Sequence, residues 1–203
     1  MQSTPILRTL LACAALALPG AALAQDQAPE AAEEQTPPDV GLPPVEPGAS
    51  VSGNAVVAET HRDWQILCGR LAGAEEDSCE MYQLLETDDG PIAEISIVAL
   101  PESAGFPAGA TITTPLETFL PTGVGFRVDS GQMRQEPFVV CTVIGCIARL
   151  GLDESEVTAM QRGASAFVTI ASIVAVDQPI EVPVSLLGFT AALEDVQSRT
   201  TFD

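Results

Sequence analysis

From residue 64 onward the chain is a succession of short apolar or alternating segments, each closed by Gly, Pro or Asp, and this pattern restricts its fold more than any other feature. The segments are rich in Val, Ile and Thr, which favour extended backbone. Strands are predicted at 64–68, 79–85, 92–100, 124–128, 138–141, 146–150, 167–176 and 180–184. Regularly spaced short strands with turns between them predict a sandwich or a barrel.

Two short helices are predicted beside these strands. Asp153 can cap the first, with Glu156 three residues later, and Gly163 can end it. Thr190 can cap the second, over residues 191–197. Neither helix has the spacing of a βαβ unit, so we expect no parallel α/β sheet. The sequence therefore predicts an all-β domain with one or two short helices.

The first 24 residues have the pattern of a secretory signal peptide. Arg8 precedes an apolar run over residues 9–18, and the segment closes with Ala22-Leu23-Ala24 before Gln25. The apolar run is shorter than the roughly 20 residues that span a bilayer. We therefore expect export, to the periplasm or the outer cell surface of a Gram-negative bacterium, and no transmembrane span after cleavage.

A lipoprotein processing site is the alternative at this end of the chain. Leu10-Leu11-Ala12-Cys13 resembles such a site, and a lipid on Cys13 would tether the protein to a membrane. However, only four residues separate Arg8 from Cys13, too few for the apolar core that the export machinery binds. We therefore expect cleavage after Ala24 and no lipid anchor.

Residues 25–50 form an acidic, proline-rich segment. They contain six acidic residues, six prolines and no basic residue. Such a composition buries too little apolar surface to offset the entropy of ordering, so we predict a disordered or extended linker. The domain organisation expected is a signal peptide at 1–24, this linker at 25–50 and one β-rich domain at 51–203.

The chain is strongly acidic and contains no Lys. All 28 acidic residues lie after residue 24 and seven of the eight basic residues remain there, which gives 7 − 28 = −21 after cleavage. Such a surface repels phosphate backbones and anionic lipid headgroups. We therefore expect no nucleic-acid partner, and acidity by itself is compatible with a role in solubility alone.

Four cysteines remain after removal of the signal peptide: Cys68, Cys79, Cys141 and Cys146. An even number in an exported chain predicts two disulfides, and local pairing, 68 with 79 and 141 with 146, closes the shortest of three possible sets of loops. A zinc site is the rival interpretation. Ten residues separate the first two cysteines, which is wider than the usual spacing of two to four.

The search for reactive side chains finds no catalytic, cofactor-binding or metal-binding residue. His61 is the only histidine and precedes a strand, so a solvated or capping role is expected. The run Glu75-Glu76-Asp77 could bind calcium weakly, but such runs are more often solvated loops. Gly123 and Gly125 lack the third glycine and the following helix of a phosphate loop, and predict a turn.

Several segments together, in their order along the chain, resemble the invasion-associated locus B family of exported bacterial proteins. They are Asp63-Trp64-Gln65-Ile66-Leu67-Cys68-Gly69 with Cys79-Glu80-Met81, Pro115-Leu116 through Leu120-Pro121-Thr122-Gly123-Val124-Gly125-Phe126-Arg127-Val128-Asp129, Pro137-Phe138-Val139-Val140-Cys141 with Gly145-Cys146-Ile147-Ala148, and Val182-Pro183-Val184-Ser185-Leu186-Leu187-Gly188-Phe189-Thr190. The resemblance covers residues 58–197. It implies an immunoglobulin-like β-sandwich, an envelope or surface location and no established catalytic activity.

The matching residues also have structural interpretations. Trp64 is expected to be a core residue that packs on a disulfide. Gly145 would permit the tight bend between Cys141 and Cys146. Gly188 would let the last strand turn into the final helix while Phe189 packs inward; Ser185 and Leu186 complete this structural motif.

The sequence favours an exported, non-catalytic module that binds an envelope or host protein, or a glycan, through a sheet edge or loops. The alternative is a periplasmic enzyme or enzyme partner that uses surface carboxylates. That alternative predicts one Asp or Glu buried in a pocket with a raised pKa. A role in host-cell interaction would require exposure on the cell surface.

Overall fold

The computed structural model describes residues 55–70, 77–200 and 202, which form a two-sheet β-sandwich with two helices. The predicted signal peptide, Cys13 and the linker lie outside the described residues. The strands are β1 (Val56–His61), β2 (Trp64–Arg70), β3 (Asp77–Thr87), β4 (Gly90–Ala99), β5 (Ala108–Thr114), β6 (Val124–Val128), β7 (Arg134–Glu136), β8 (Phe138–Thr142), β9 (Gly145–Leu152), β10 (Ser165–Ser172) and β11 (Ala175–Ser185). The helices are α1 (Glu154–Arg162) and α2 (Phe189–Arg199), with two short 3-10 turns, Glu102–Ala104 and Leu120–Thr122.

Both sheets are antiparallel. The wide sheet has the order β1-β2-β3-β4-β5-β9-β8 and the narrow sheet the order β11-β10-β6-β7. Alternate residues of β4 and β5 are buried, as period-two strands with one inward face require. Inward residues of both sheets join side chains of the two helices in one apolar core. The predicted all-β sandwich with two short helices is therefore confirmed; within it, β1 to β5 form a consecutive meander.

Helix α1 begins where the sequence predicts. The Asp153 side chain accepts a hydrogen bond from the Glu156 backbone N–H, and the Glu156 side chain accepts one from the Asp153 N–H, which completes a capping box. Gly163 follows its last residue. Local sequence thus determines both ends of this helix.

Helix α2 begins earlier than predicted, and the expected cap at Thr190 is wrong. The residue before the helix is Gly188, with φ +88°, and the helix starts at Phe189 without a side-chain cap. The Ala192 N–H donates to the Gly188 carbonyl at 3.0 Å and closes the first turn. The tertiary packing of Phe189, which is fully buried, therefore outweighs the capping preference of Thr190.

The predicted strand 167–176 is wrong at its carboxyl end. Strand β10 ends at Ser172, the chain turns at Ile173 and Val174, and β11 continues through the segment 177–179 that was predicted as a turn. The Ser172 hydroxyl accepts a hydrogen bond from the Val174 N–H across this turn. Pro179 is tolerated in β11 because that strand lies at a sheet edge.

Two disulfides join neighbouring strands of the wide sheet. Cys68 of β2 is bonded to Cys79, directly opposite in β3, and Cys141 of β8 to Cys146, directly opposite in β9. The local pairing predicted from the sequence is the pairing in the structure. The second bridge holds the turn between β8 and β9 closed.

Candidate functional site

Three loops at one corner of the sandwich present exposed aliphatic side chains. They are the β5–β6 connection, the β8–β9 turn and the β10–β11 turn. Val143 is 95% exposed and Val174 is 87% exposed, values that are close to those of an unpacked side chain. We call this set the apolar tip: Leu116, Leu120, Val143, Ile144, Ile173 and Val174.

Hydrogen bonds between the loops hold the apolar tip together. The buried Thr114 hydroxyl, at the end of β5, donates to the Cys146 carbonyl at 3.3 Å, which joins the β5–β6 connection to the β8–β9 hairpin. The buried Thr118 hydroxyl donates to the Thr114 hydroxyl at 3.0 Å. The Ile173 N–H donates to the Glu117 carbonyl at 2.9 Å, which joins the β10–β11 turn. The three loops therefore form one surface.

The β8–β9 turn has little freedom to collapse onto the domain. Its bridge, Cys141–Cys146, fixes the strand ends. Gly145 has φ +143°, and a Cβ there would lie 2.4 Å from the Thr114 carbonyl oxygen. Only glycine fits this close approach, so the backbone of the turn is held against β5. Val143 and Ile144 consequently project into solvent.

The apolar tip is nearly free of charge in a strongly acidic protein. The formal net charge of the chain is −20. Segments 137–148 and 164–176 contain no charged residue, and Glu117 is the only one in 111–126. Exposed apolar patches edged by polar residues mark interaction sites on soluble domains. This surface is therefore the candidate binding site.

Sequence analysis did not identify the apolar tip. Ile173 and Val174 were assigned to a strand interior because their turn contains no Gly, Pro, Asn or Asp. No charge signal marked the apolar tip, because uncharged segments of similar length, such as 47–58 and 103–115, occur elsewhere in the chain.

Apart from Gly145, which lies in the β8–β9 turn of the apolar tip, the residues of the family motif lie together around the start of α2. Trp64, fully buried, packs edge-to-face on Phe189 of α2 with ring centroids 5.7 Å apart. Leu186 is buried in the same core. A Cβ on Gly188 would lie 2.0 Å from the His61 carbonyl oxygen. These residues attach α2 to β1 and β2.

A polar network beside Trp64 connects β11 to the wide sheet. The Trp64 indole N–H donates to the Ser185 carbonyl at 2.9 Å. The buried Gln83 side chain accepts from the Ser185 N–H at 2.8 Å and donates to the Ser185 and Asp63 carbonyls. The Ser185 hydroxyl donates to the Asp63 carboxylate. The side chains of the network have partners within it, which is the arrangement of a structural joint.

His61 lies in an ion-pair cluster with α2. Its Nε2 is 2.8 Å from Asp195 Oδ2, and Arg199 donates to the same carboxylate. Hydrogen bonds from Arg199, first, and from His61 lower the pKa of Asp195. The expected solvated or capping role of His61 is thus replaced by a bond that joins the end of β1 to α2.

Among the described residues, one carboxyl group, that of Glu80, has a raised pKa. Burial on the outward face of β3 raises the pKa of Glu80; a hydrogen bond from Ser96 lowers it and the nearby Glu94 carboxylate raises it. Burial, together with the hydrogen bond that the Tyr82 hydroxyl donates to Glu94 at 2.7 Å, raises the pKa of Tyr82. The periplasmic-enzyme alternative predicts a carboxyl group of raised pKa inside a cleft, so it would require a cavity at Glu80.

Two clefts in the described part of the chain lie elsewhere. One, about 690 Å³, lies at the start of α1 and is lined by Glu102, Phe106, Asp153 and Glu154 among others. A second, about 570 Å³, lies over the joint of Ser185 and Gln83. Neither cleft is lined by Glu80.

The acidic run 75–77, which was considered as a weak calcium site but is more typical of a solvated loop, lies largely outside the described residues. Glu75 and Glu76 lie outside the described residues, as does the side chain of Asp77. Among the side chains that the structure describes, no three His, Cys, Asp or Glu residues are grouped closely enough to hold a metal ion. Within the same ranges no helix is long and apolar enough to cross a membrane.

These features define a class: a disulfide-braced β-sandwich whose most distinctive surface is a set of apolar loops. The profile of the family described as "Invasion associated locus B (IalB) protein" matches residues 64–197. The chain therefore belongs to the invasion associated locus B family.

Two curated relatives and one solved structure agree with this assignment. Invasion protein B homologs from two Brucella abortus strains, 2308 and 9-941, are each 28% identical over 154 residues, which cover 75% of this chain and 86% of the relative. The crystal structure of invasion associated protein B from Bartonella henselae has a TM-score of 0.58 at 23% identity, over 69% of this chain and 94% of that one. This last similarity concerns the fold.

Proposed function

We propose that this chain is an exported, non-catalytic binding module of the cell envelope, and that it holds its partner through the apolar tip. The observation that carries the proposal is the exposure of six aliphatic side chains on loops tied together by hydrogen bonds. Solvent exposure of these side chains is unfavourable, so a partner that covers them gains binding free energy.

Export is supported by the signal-peptide pattern at residues 1–24 and by the two disulfides. Disulfides persist in the periplasm and outside the cell and are rare in a reducing cytoplasm. We propose the same domain organisation as the sequence predicts: signal peptide at 1–24, linker at 25–50 and binding domain at 51–203.

The non-catalytic part of the proposal is supported by where the titratable groups lie. Glu80, whose pKa is raised, faces outward from the wide sheet, and His61 is engaged by Asp195. An enzyme or enzyme accessory protein that uses surface carboxylates remains the second candidate, favoured by the acidic lining of the cleft near α1. Turnover of an envelope substrate by the purified protein would decide for it.

A link to host cells is supported by the names of the relatives, which are invasion proteins. Such a role requires the domain to be exposed outside the outer membrane. The location of the domain, in the periplasm or on the outer surface, is therefore the property to measure first.

Proteinase K treatment of intact and permeabilised cells tests the location. Trypsin is unsuitable, because residues 25–61 contain no Arg or Lys. Cleavage of the linker in intact cells would indicate the outer surface, and protection until the outer membrane is opened would indicate the periplasm. The exported protein should begin at Gln25 by intact mass. A protein that keeps residues 1–24, has five free thiols and resists protease until the cytoplasm is released would contradict the proposal.

A further inference from the structure

We propose that the partner of the apolar tip is an uncharged lipid surface, into which the loop side chains insert. The inference rests on the proposed function, because it names what the apolar tip binds.

The shape of the apolar tip favours a deformable partner. Val143 and Val174 lie at the ends of two-residue turns and are almost fully exposed, so the surface is convex and its side chains project singly. A protein partner would need matching concave pockets for each projection. Hydrocarbon at a lipid interface rearranges around such side chains without that requirement, and the binding strength scales with the apolar area buried.

The arrangement of the loops lets several side chains enter at once. The hydrogen bonds from Thr114 and Thr118, with the Glu117–Ile173 bond, hold the three loops side by side. The disulfide Cys141–Cys146 fixes the most exposed turn. Insertion therefore restricts few additional rotatable bonds of the loops, which reduces the conformational entropy lost on binding.

The charge around the apolar tip determines which lipid headgroups it can approach. Many peripheral proteins reach membranes through Lys and Arg, but segments 137–148 and 164–176 contain neither. Carboxylates lie nearby instead. Glu117 is in the tip's own loop, Asp177 is in β11 close to the turn, and Asp88 and Asp89 form the β3–β4 turn at the same end of the wide sheet as the β8–β9 turn. Anionic headgroups would repel these groups, so the lipid surface should be neutral or zwitterionic.

Flotation of the purified exported protein with phosphatidylcholine vesicles tests the proposal. The intact mass of the protein is first checked to exclude an acyl group on Cys13. The test variant carries Val143→Ser with Ile144→Ser. The control carries Val56→Ser with Leu187→Ser, which removes the same number of side-chain carbons. Both control positions are far from the tip. Val56 is on the opposite edge strand of the wide sheet, and Leu187 follows the other end of β11.

The exported protein and the control should float with the neutral vesicles, and the partition coefficient of the test variant should be at least about tenfold lower, since two aliphatic side chains no longer insert. Vesicles in which about 30% of the lipid is anionic phosphatidylglycerol should bind less protein at low salt than the neutral vesicles do. That deficit should shrink at high salt, as the Debye length falls from about 10 Å at 0.1 M to about 3 Å at 1 M.

Three outcomes would overturn the proposal: no flotation with neutral vesicles, equal flotation of the test variant, or binding to anionic vesicles alone. Self-association that Val143→Ser with Ile144→Ser abolishes would assign the tip to a second copy of this chain. Failure with vesicles is distinguishable from failure of the proposed function. If membrane retention in cells still depends on the tip, the partner is a protein or a glycan and only the lipid inference falls.

Discussion

Replacement of Gly188 by Ala should destabilise the oxidised protein by about 2–5 kcal/mol. Two costs combine. Gly188 has φ +88°, a left-handed conformation that costs an L-residue about 1–2 kcal/mol. The new Cβ would also lie 2.0 Å from the His61 carbonyl oxygen, and relief of such overpacking typically costs about 1–3 kcal/mol. The shift would move β1 away from α2. Urea unfolding followed by circular dichroism measures the loss.

Gly105→Ala is the matched control for this prediction. Gly105 has a similar φ, +77°, but a Cβ there would meet no atom within 4 Å. The free energy of unfolding of the Gly105→Ala variant should fall by about 1–2 kcal/mol, which is the conformational cost alone. Equal losses at the two glycines would show that the approach of Gly188 to His61 does not contribute.

Replacement of Trp64 by Ala should cost about 3–5 kcal/mol, the range for removal of a large buried aromatic side chain. Trp64 is fully buried and its ring packs edge-to-face on Phe189, so the substitution opens a cavity between β2 and α2. The indole N–H that reaches the Ser185 carbonyl is lost as well. Thermal or urea unfolding of the exported protein measures the effect.

Trp64→Phe separates packing from hydrogen bonding. A phenyl ring keeps much of the volume against Phe189 but has no donor for Ser185. The Ser185 carbonyl still accepts from Gln83, so it is not left without a partner. We expect a loss of about 1–2 kcal/mol. If Trp64→Phe is as damaging as Trp64→Ala, the hydrogen bond and not the packing is the dominant contribution.

Local signals in the sequence predicted much of the fold. The capping box at Asp153 and Glu156 placed α1, and the pairs of cysteines predicted the local disulfides that the structure contains. Strand β6 has the predicted bounds, because the glycine before it and Asp129 after it limit the extended segment.

Tertiary contacts decided what the sequence did not predict. The start of α2 depends on Phe189 packing against Trp64, which is 125 positions earlier in the chain. The β10–β11 turn at Ile173 depends on a hydrogen bond to Glu117 of a distant loop. Strands β1, β5 and β7 were not predicted. β1 and β7 lie at or beside sheet edges, where side-chain alternation is weak, and β5 consists largely of Ala, Gly and Thr.

The candidate site could not be predicted from the sequence, because it also depends on tertiary contacts. Its loops come from positions 116–120, 143–144 and 173–174, which no local pattern connects. The threonines that link them, Thr114 and Thr118, are buried polar residues whose partners are visible only in the folded domain. The family resemblance did not reveal the site either, because its segments were interpreted as structural, although they include Leu116, Leu120 and Gly145 of the tip's loops.

The central claim, that the apolar tip holds this module to its partner in the envelope, is tested most directly by membrane sedimentation from cells. Cells would express the exported protein, the Val143→Ser with Ile144→Ser variant, or the Val56→Ser with Leu187→Ser control. After the envelope is opened, the membrane-bound fraction of each is measured by quantitative immunoblot. We predict that the exported protein and the control sediment with membranes and that the tip variant is released. Sedimentation of the tip variant at the level of the control would contradict the account.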